Sequence, residues 1–199
     1  MRRRDLLALT PALLLPGCSS SSKPAEPKKP AEPVTGLHAV YQMYSHARTW
    51  APDIKVLRCS SIDISQQVPP QPGKAGAWQV IFASETRGQK RPYTFSVYEV
   101  SVTLREGIYP ETPSSWSNDN RAFLMAAVKI DTDEAWKTAL QHAEEYNRKN
   151  PNIPISYTLE LGRNINDPIW RVIWGESAAS SAYSVLVDAS TGAYLETLH

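Results

Sequence analysis

The stretch that decides the fold is "YSVLVDASTGAYLETL", residues 183–198, in which an apolar run stops at a polar turn and then resumes. Val185 and Val187 can face one side of a strand while Leu186 faces the other, which is the period-two pattern of a half-buried strand. Asp188 is a typical first residue of a turn, because its side chain can accept hydrogen bonds from nearby backbone amides. The stretch therefore predicts two antiparallel strands joined by a short turn.

The polar residues of this turn have two interpretations. Ser190 and Thr191 carry hydroxyls that could attack or bind a substrate, but a nucleophile needs a base and an orienting group close by. No G-x-S-x-G motif occurs in the chain. Gly192 supplies the positive φ that such a turn needs near its end. A structural hairpin explains every residue, so we predict no chemistry for Ser190 or Thr191.

The sequence upstream of the hairpin contains two similar helical segments. Residues 35–51 and 131–150 each place apolar side chains three and four residues apart, as an amphipathic helix does. Thr35 occupies the N-cap position of the first segment, and Asp131 with Glu134 resembles a capping box at the second. The predicted apolar stripes are Leu37, Val40, Tyr41, Tyr44 and Ala47 in the first segment, and Ala135, Trp136, Ala139, Leu140 and Ala143 in the second.

Three strand-like segments follow each helix. They are 54–64, 77–84 and 93–104 in the first half, and 153–161, 169–176 and 183–198 in the second. The alternating residues Trp78, Val80 and Phe82 correspond to Trp170, Val172 and Trp174. The order of helix and three strands thus recurs at a spacing of about 90 to 99 residues, which favours an internal duplication over two unrelated α+β stretches.

The second half resembles a PepSY-type module. The resemblance rests on "DTDEAWKTAL", on the W-x-V strand in "PIWRVIW", and on a D-A-x-T-G turn matched by Asp188, Ala189, Thr191 and Gly192. It implies a helix followed by an antiparallel sheet. The first half lacks D-A-x-T-G and has only Glu106-Gly107 in a comparable place, so it resembles a degenerate copy. Cystatin-like folds, which also pack a helix on an antiparallel sheet, stay the alternative.

The predicted fold class is therefore α+β, built from two repeated units of a helix plus a three-stranded antiparallel sheet. We place the first unit at 36–108 and the second at 131–199. The connecting segment 109–130 begins with turn-forming residues and ends in the apolar run 122–130. That run is either a buried strand or a short helix, and we favour an extended conformation.

The N-terminal 18 residues, "MRRRDLLALTPALLLPGC", have the features of a secretory signal. Three arginines precede a run, Leu6 to Leu15, that is shorter than the about 20 apolar residues of a membrane span. The ending "LLPGC" resembles the lipobox of bacterial lipoproteins. The resemblance implies that the signal peptide is residues 1–17 and that Cys18 is diacylated. The likeness to a twin-arginine signal is incomplete, so the export route stays open between Sec and Tat.

A lipidated, proline-rich linker is predicted at 18–35, where the pentamer KPAEP occurs twice. This composition favours an extended spacer without a core of its own. The resemblance to lipoproteins implies a cell-envelope location with the membrane as a partner through Cys18. Ser19 resembles the residue found in lipoproteins of the outer membrane, facing the periplasm. In a cell without an outer membrane, the outer face of the plasma membrane is expected.

Composition and motifs point away from most catalytic and nucleic-acid functions. Removing residues 1–17 takes away three Arg and one Asp, a net charge of +2, and lowers the formal charge from +1 to −1, which does not favour nucleic acid. We find no metal-binding spacing and no phosphate loop, and we predict no cofactor. Cys59 is expected to be a buried apolar residue, and His46 and His142 solvated helix residues.

We predict a non-enzymatic envelope lipoprotein that binds a protein or peptide through a sheet face or an exposed edge strand. The PepSY resemblance adds a regulatory role, such as protease inhibition, as one implication. Trp116, in a turn-rich loop, is the residue we single out for an exposed contact, whereas Trp170 and Trp174 are expected in the core. An envelope enzyme with a site of scattered Asp, Glu and Tyr residues, and a purely structural subunit, stay as alternatives.

Overall fold

Two amphipathic helices form where the apolar stripes predict them. Helix α1 spans Gly36–Trp50 and helix α2 spans Thr132–Lys149. Each ends shortly before a proline, which cannot continue a helix. The residues buried on their inner faces include Ala39, Val40, Met43 and Ala47 in α1, and Ala135, Ala139 and Ala143 in α2. Tyr41 was predicted on the buried stripe but is exposed, because Met43 completes that face instead.

The computed structural model describes residues 30–117, 121–162 and 166–199. The predicted signal peptide, Cys18 and the linker as far as residue 29 lie outside the described residues. Residues Ala31–His199 form one compact unit.

Nearly all strands of this unit belong to a single antiparallel sheet. Its strands are β2 (Lys55–Ile62), β4 (Ala77–Ser84), β5 (Gln89–Ser96), β6 (Gly107–Pro110), β7 (Ser114–Ser115), β8 (Ile155–Leu161), β9 (Pro168–Trp174), β10 (Tyr183–Asp188) and β11 (Tyr194–Leu198). The short strands β1 (Val34–Thr35) and β3 (Lys74–Ala75) pair separately. The strand order is β11-β10-β9-β8-β2-β4-β5-β6, and β7 also pairs with β5. The predicted α+β class with antiparallel sheet is confirmed.

The sheet has the same connectivity on both sides of its centre, where β2 pairs with β8. From this pair outward, the first half adds β4, β5 and β6, and the second half adds β9, β10 and β11. Trp78 Nε1 donates a hydrogen bond to the Val34 carbonyl at 3.2 Å, and Trp170 Nε1 donates to the Ile130 carbonyl at 2.7 Å. Each accepting residue lies two positions before the first residue of its own helix. The two tryptophans therefore make matching contacts in the two halves.

The main core lies between this sheet and the two helices. α1 packs on β2, β4 and β5, and α2 packs on β9 and β10. The alternating side chains that the sequence aligns between the halves are all buried in this core: Trp78, Val80, Phe82, Trp170, Val172 and Trp174. The prediction that these aromatic residues fill the core is confirmed, and burial of three indole rings makes them large contributors to stability.

One carboxylate caps both helices. Asp131 Oδ1 accepts hydrogen bonds from the backbone amides of Thr132, at 2.6 Å, and Leu37, at 2.9 Å. Thr35 holds the N-cap position of α1, as predicted, but its side chain makes no capping bond. The first turn of each helix has amides without intrahelical partners, and Asp131 satisfies one from each helix. The two helix N-termini are thereby joined.

A second set of buried hydrogen bonds continues from this junction. Thr132 Oγ1 accepts from the Gly36 amide at 2.8 Å and donates to the Gly73 carbonyl. The Gly73 amide donates to Tyr157 Oη at 2.9 Å. Thr132 is fully buried, so these bonds connect α1, α2, β8 and the loop before β3 away from water.

Three predicted boundaries are wrong: the end of the linker, and the start and the end of the strand predicted at 93–104. The linker was predicted to reach residue 35, but Val34–Thr35 pairs with Lys74–Ala75 and Ala31 packs against the apolar cluster of Ile64, Val68 and Ala77. The strand predicted at 93–104 is β5, which starts earlier and ends at Ser96. The Ser96 hydroxyl bonds to the Tyr98 backbone and turns the chain there.

The connecting segment 109–130 is less uniform than predicted. β6 crosses its expected start, so the edge of the sheet extends into it. Its apolar run contains a bridge from Phe123 to Val56 and a 3-10 turn at Met125–Ala127. The backbone around this turn is extended, as favoured, but the turn itself is helical.

Candidate binding surfaces

The turn of the hairpin at residues 183–198 has a structural role. Asp188 Oδ1 accepts hydrogen bonds from the amides of Ser190, at 2.7 Å, and Thr191, at 3.0 Å, while Gly192 has φ of 79°. Ser190 Oγ donates to the Ala127 carbonyl at 2.8 Å. The predicted hairpin is confirmed: the Asp188 carboxylate holds the turn itself together, and the Ser190 hydroxyl joins it to the segment that leads into α2.

Burial or hydrogen bonding within the fold explains the shifted pKa values of three titratable side chains. Cys59 is fully buried at the centre of the sheet, and burial raises the pKa of its thiol; the predicted buried cysteine is confirmed. Burial likewise raises the pKa of Tyr157, partly offset by the Gly73 amide. Hydrogen bonds from the Ser84 hydroxyl and the Thr86 amide lower the pKa of Asp53 to about 2.

These groups do not converge on a common cavity. Between the β2–β3 loop and the start of β8 lies a crevice of about 50 Å³, with Asp63 and Glu176 as its acidic lining residues. Pockets for small-molecule ligands usually have volumes of about 300–1,000 Å³, so this crevice is too small for one. A wider depression of about 520 Å³ on the outer surface of α2, beside His142 and Glu145, is shallow and polar. Across residues 30–117, 121–162 and 166–199, no three His, Cys, Asp or Glu side chains are grouped as metal ligands would be.

His46 and His142 lie on the outer surfaces of the two helices, as predicted. The His142 ring stacks on Tyr194 of β11 with ring centroids 3.7 Å apart. Thr138 Oγ1 donates to the Gly192 carbonyl at 3.1 Å. These contacts from α2 hold the start of β11 in place.

Trp116 does not form the exposed contact that we predicted. Only 9% of its surface is exposed, and it packs on Leu57 and Ala83. Its amide donates to the Gly88 carbonyl at 2.9 Å. The prediction assumed that a loop tryptophan has no sheet to cover, but β7 pairs with β5 and lays Trp116 on the face of the sheet away from Phe82.

The exposed apolar side chains instead include two groups at opposite edges of the sheet. The first is the connection between β5 and β6, residues 97–106, which we call the apolar loop; Tyr98, Val100 and Val102 are exposed there. The second is the β11 edge, residues Tyr194–Leu198, where Tyr194 and Leu195 are exposed. The sequence did not reveal the apolar loop, since its alternation of apolar and polar residues was interpreted as a continuing strand.

The two edge strands differ in how well they are protected against a further strand. β6 has four residues, including Gly107 and Pro110, and short strands and prolines are common protective devices at sheet edges. β11 has five residues, "YLETL", with no proline and no lysine. Within the part of the chain that the structure describes, β11 has one strand neighbour, β10. The β11 edge is therefore the better template for strand addition.

No family model matches the chain, and no curated protein matches it. Among solved structures, the chain is similar to the crystal structure of a candidate lipoprotein from Clostridium difficile 630. The two share 9% sequence identity with a TM-score of 0.51, over 80% of this chain and 91% of that one. At this identity the similarity shows a common fold. No helix among the described residues is long and apolar enough to cross a membrane.

Proposed function

We propose that the chain is a cell-envelope lipoprotein, anchored through Cys18, that acts by binding a protein or peptide partner and not by catalysis. The observation that carries the binding proposal is the β11 edge, where Tyr194 and Leu195 are exposed and neither proline nor lysine interrupts the strand, although it contains Glu196 and a register irregularity in its pairing with β10. An extended segment of a partner would add to this edge through backbone hydrogen bonds, with Tyr194 and Leu195 contributing to specificity.

The lipid anchor is supported by the sequence "LLPGC" at residues 14–18. The similar fold of a protein described as a candidate lipoprotein agrees with it. The anchor would hold the folded unit at a membrane of the envelope, with the outer membrane as the favoured location. A regulatory role, such as inhibition of a protease, is one form that binding at the β11 edge could take.

We also propose that the two halves are PepSY-like copies produced by duplication. One matched contact and two matched spacings support this relation. Val34 and Ile130 accept from the corresponding tryptophans, and both lie 96 residues apart, as do the first residues of the two helices. Ala31 packs against the small apolar cluster that Val97 and Leu104 of the β5–β6 connection also contact. Ala127, 96 residues later, accepts a hydrogen bond from Ser190 of the β10–β11 turn.

Replacing the lipidated cysteine tests the anchor. In cells, Cys18→Ala is expected to move the chain from the membrane fraction to the soluble fraction, because a lipid attached to this side chain is the proposed attachment. Cys59→Ala is the control and should stay with the membrane, since Cys59 lies in the core. Fractionation with mass determination of the N-terminal peptide gives the readout. A Cys18→Ala chain that still sediments with membranes after a salt wash would contradict the anchor.

Site-specific photo-crosslinking tests the binding edge. A photoreactive amino acid at Leu195, which is 38% exposed, is expected to give a discrete adduct in the envelope. The same amino acid at Leu124, which is 59% exposed and outside the β11 edge, is the matched control. Once the adduct has identified the partner, Leu195→Lys in a chain without the photoreactive residue should abolish co-purification of that partner, because lysine on an edge strand discourages strand addition, whereas Leu124→Lys should not. Equal adducts from the two positions, or none from Leu195, would argue against the β11 edge.

A further inference from the structure

The apolar loop is a folded projection and not an irregular connection. The Val100 and Ser101 amides both donate to the Leu104 carbonyl, at 2.9 and 3.2 Å, and the Leu104 amide donates back to Ser101. Arg105 Nε donates to the Val102 carbonyl at 3.1 Å. This network makes a tight turn with Val102, 81% exposed, at its tip. The loop thus holds an aliphatic side chain out in solvent by its own hydrogen bonds.

The corresponding turn of the second half shows what is particular to this loop. β10 and β11 are joined by residues 189–193, whereas β5 and β6 are joined by the longer segment 97–106. The shorter turn is polar and docks on the segment that leads into α2, through Ser190 and Ala189. The longer loop packs at its base, through Val97 and Leu104, on the cluster of Ile64, Val68 and Ala77, and adds a tip, residues 100–104, of sequence "VSVTL". The added part is uncharged.

The base of the apolar loop lies where the N-terminal chain enters the folded unit. Val97 and Leu104 pack against the same small cluster as Ala31, the first residue of that unit. Thirteen peptide steps separate Cys18 from Ala31, which span at most about 45 Å. The folded unit is roughly 40 Å across. A linker of this length can place the side of the folded unit that carries Ala31 at a membrane. It has little length left to run around the unit, as it would have to do if the opposite side faced the membrane.

We propose that the apolar loop inserts into the surface of the lipid bilayer as a second membrane contact, beside the lipid on Cys18. This inference rests on the proposed lipid anchor. The aliphatic tip would enter the region between headgroups and acyl chains. Tyr98 and Tyr109, both exposed, would lie at the interface, where tyrosine is favoured. Glu99, Arg105 and Glu106 flank the tip on its two sides and would stay in the headgroup and water layers.

The proposal also limits how the folded unit can be oriented at the membrane. β6 and β11 are at opposite ends of the strand order. With the apolar loop beside β6 on the membrane, the β11 edge lies at the end of the strand order farthest from the inserted loop. An anchor and an oriented contact would then present the β11 edge to partners, whereas the anchor alone would leave the unit free to rotate.

A fluorescent label at the tip tests the loop directly. The chain with Val102→Cys, purified from membranes and labelled with an environment-sensitive dye, is reconstituted into vesicles of phosphatidylethanolamine and phosphatidylglycerol. Acylated Cys18 and buried Cys59 would not react, so the dye reports on position 102. Vesicles are expected to reduce quenching by aqueous iodide about threefold or more. Thr191→Cys, at the exposed tip of the shorter turn, is the control and should show no change.

Three outcomes separate the possibilities. If the labelled chain floats with vesicles and position 102 stays fully accessible to iodide, the anchor stands and the loop proposal falls. If position 102 is protected in native envelopes but not in protein-free vesicles, a protein covers the loop and the proposal falls. If the chain does not float, the anchor is wrong, and the loop is tested without it. In the Cys18→Ala chain, Val102→Asp should then weaken vesicle binding about tenfold relative to Thr191→Asp, and equal binding overturns the proposal.

Discussion

Gly73→Ala is expected to unfold the protein or to lower its free energy of unfolding by more than about 3 kcal/mol. Gly73 has φ of 73°, a conformation that costs an L-residue about 1–2 kcal/mol. A Cβ atom at this position would lie 2.2 Å from Asp133 Cα and 2.5 Å from its backbone nitrogen. The obstructing atoms belong to the first turn of α2, so relief requires moving the helix.

That movement would break the junction between the two halves. The backbone of Gly73 bonds to Thr132 Oγ1 and Tyr157 Oη, and α2 is capped by Asp131, which also caps α1. Displacing the start of α2 would therefore leave several buried polar groups without partners at once, at about 1–3 kcal/mol each.

Gly88→Ala is the matched control for this substitution. Gly88 has φ of 59°, similar to that of Gly73, but nothing lies within 4 Å of the Cβ position. Only the cost of the positive φ should apply to Gly88→Ala, so its free energy of unfolding should fall by about 1 kcal/mol. Both losses can be measured by urea denaturation in the non-lipidated Cys18→Ala background, with tryptophan fluorescence as the signal for unfolding. Equal losses for the two variants would mean that the contact with Asp133 relaxes freely.

The local features of the fold could be predicted from the sequence because they depend on near neighbours. The hairpin at 183–198 follows from an apolar alternation with Asp188 and Gly192 at turn positions, and the structure contains it. The helices follow from stripes three and four residues apart. The alternation of Trp78, Val80 and Phe82 predicted a buried face, and these side chains are in the core.

The predictions that failed concern features that depend on contacts between distant segments. Trp116 is buried because β7 pairs with β5. The strand β7 is only two residues long and has no sequence pattern that would predict it. The apolar loop has the alternation of a strand, but Ser96 turns the chain and ends β5. Among the described residues, none of the strand ladders that pair with β5 continues past Ser96. The joining of β2 to β8 into one sheet requires pairing across about a hundred residues, which periodicity cannot specify.

The sequence predicted the type of binding surface but not its location. An exposed edge strand was one of the expected binding modes, but the choice of β11 over β6 requires the strand order and the exposure of each side chain. The sequence of β11, without proline or lysine, carries information only once the strand is known to lie at an edge. The same holds for Ala31, whose position beside the apolar loop has no sequence signal.

Thr132→Val is expected to lower the free energy of unfolding by about 3 kcal/mol. Valine has nearly the shape of threonine, so packing around this fully buried residue is preserved. The Gly36 amide and the Gly73 carbonyl lose their partner. Gly36 sits in a tight place, with the Thr132 methyl group 2.8 Å and the Trp170 ring 2.7 Å from a hypothetical Cβ. Water therefore has no room to replace the hydroxyl.

Thr132→Ser separates the hydroxyl from the methyl group. It keeps both hydrogen bonds and removes one methyl, so its expected cost is about 1 kcal/mol. The order of stability should be wild type, then Thr132→Ser, then Thr132→Val, as measured by urea denaturation at neutral pH. If the hydroxyl joins the helix N-termini as described, amide hydrogen exchange at Gly36 should accelerate in Thr132→Val and stay slow in Thr132→Ser. A Thr132→Val chain as stable as Thr132→Ser would mean that the buried hydroxyl contributes no net stability and that the Asp131 carboxylate alone joins the two helices.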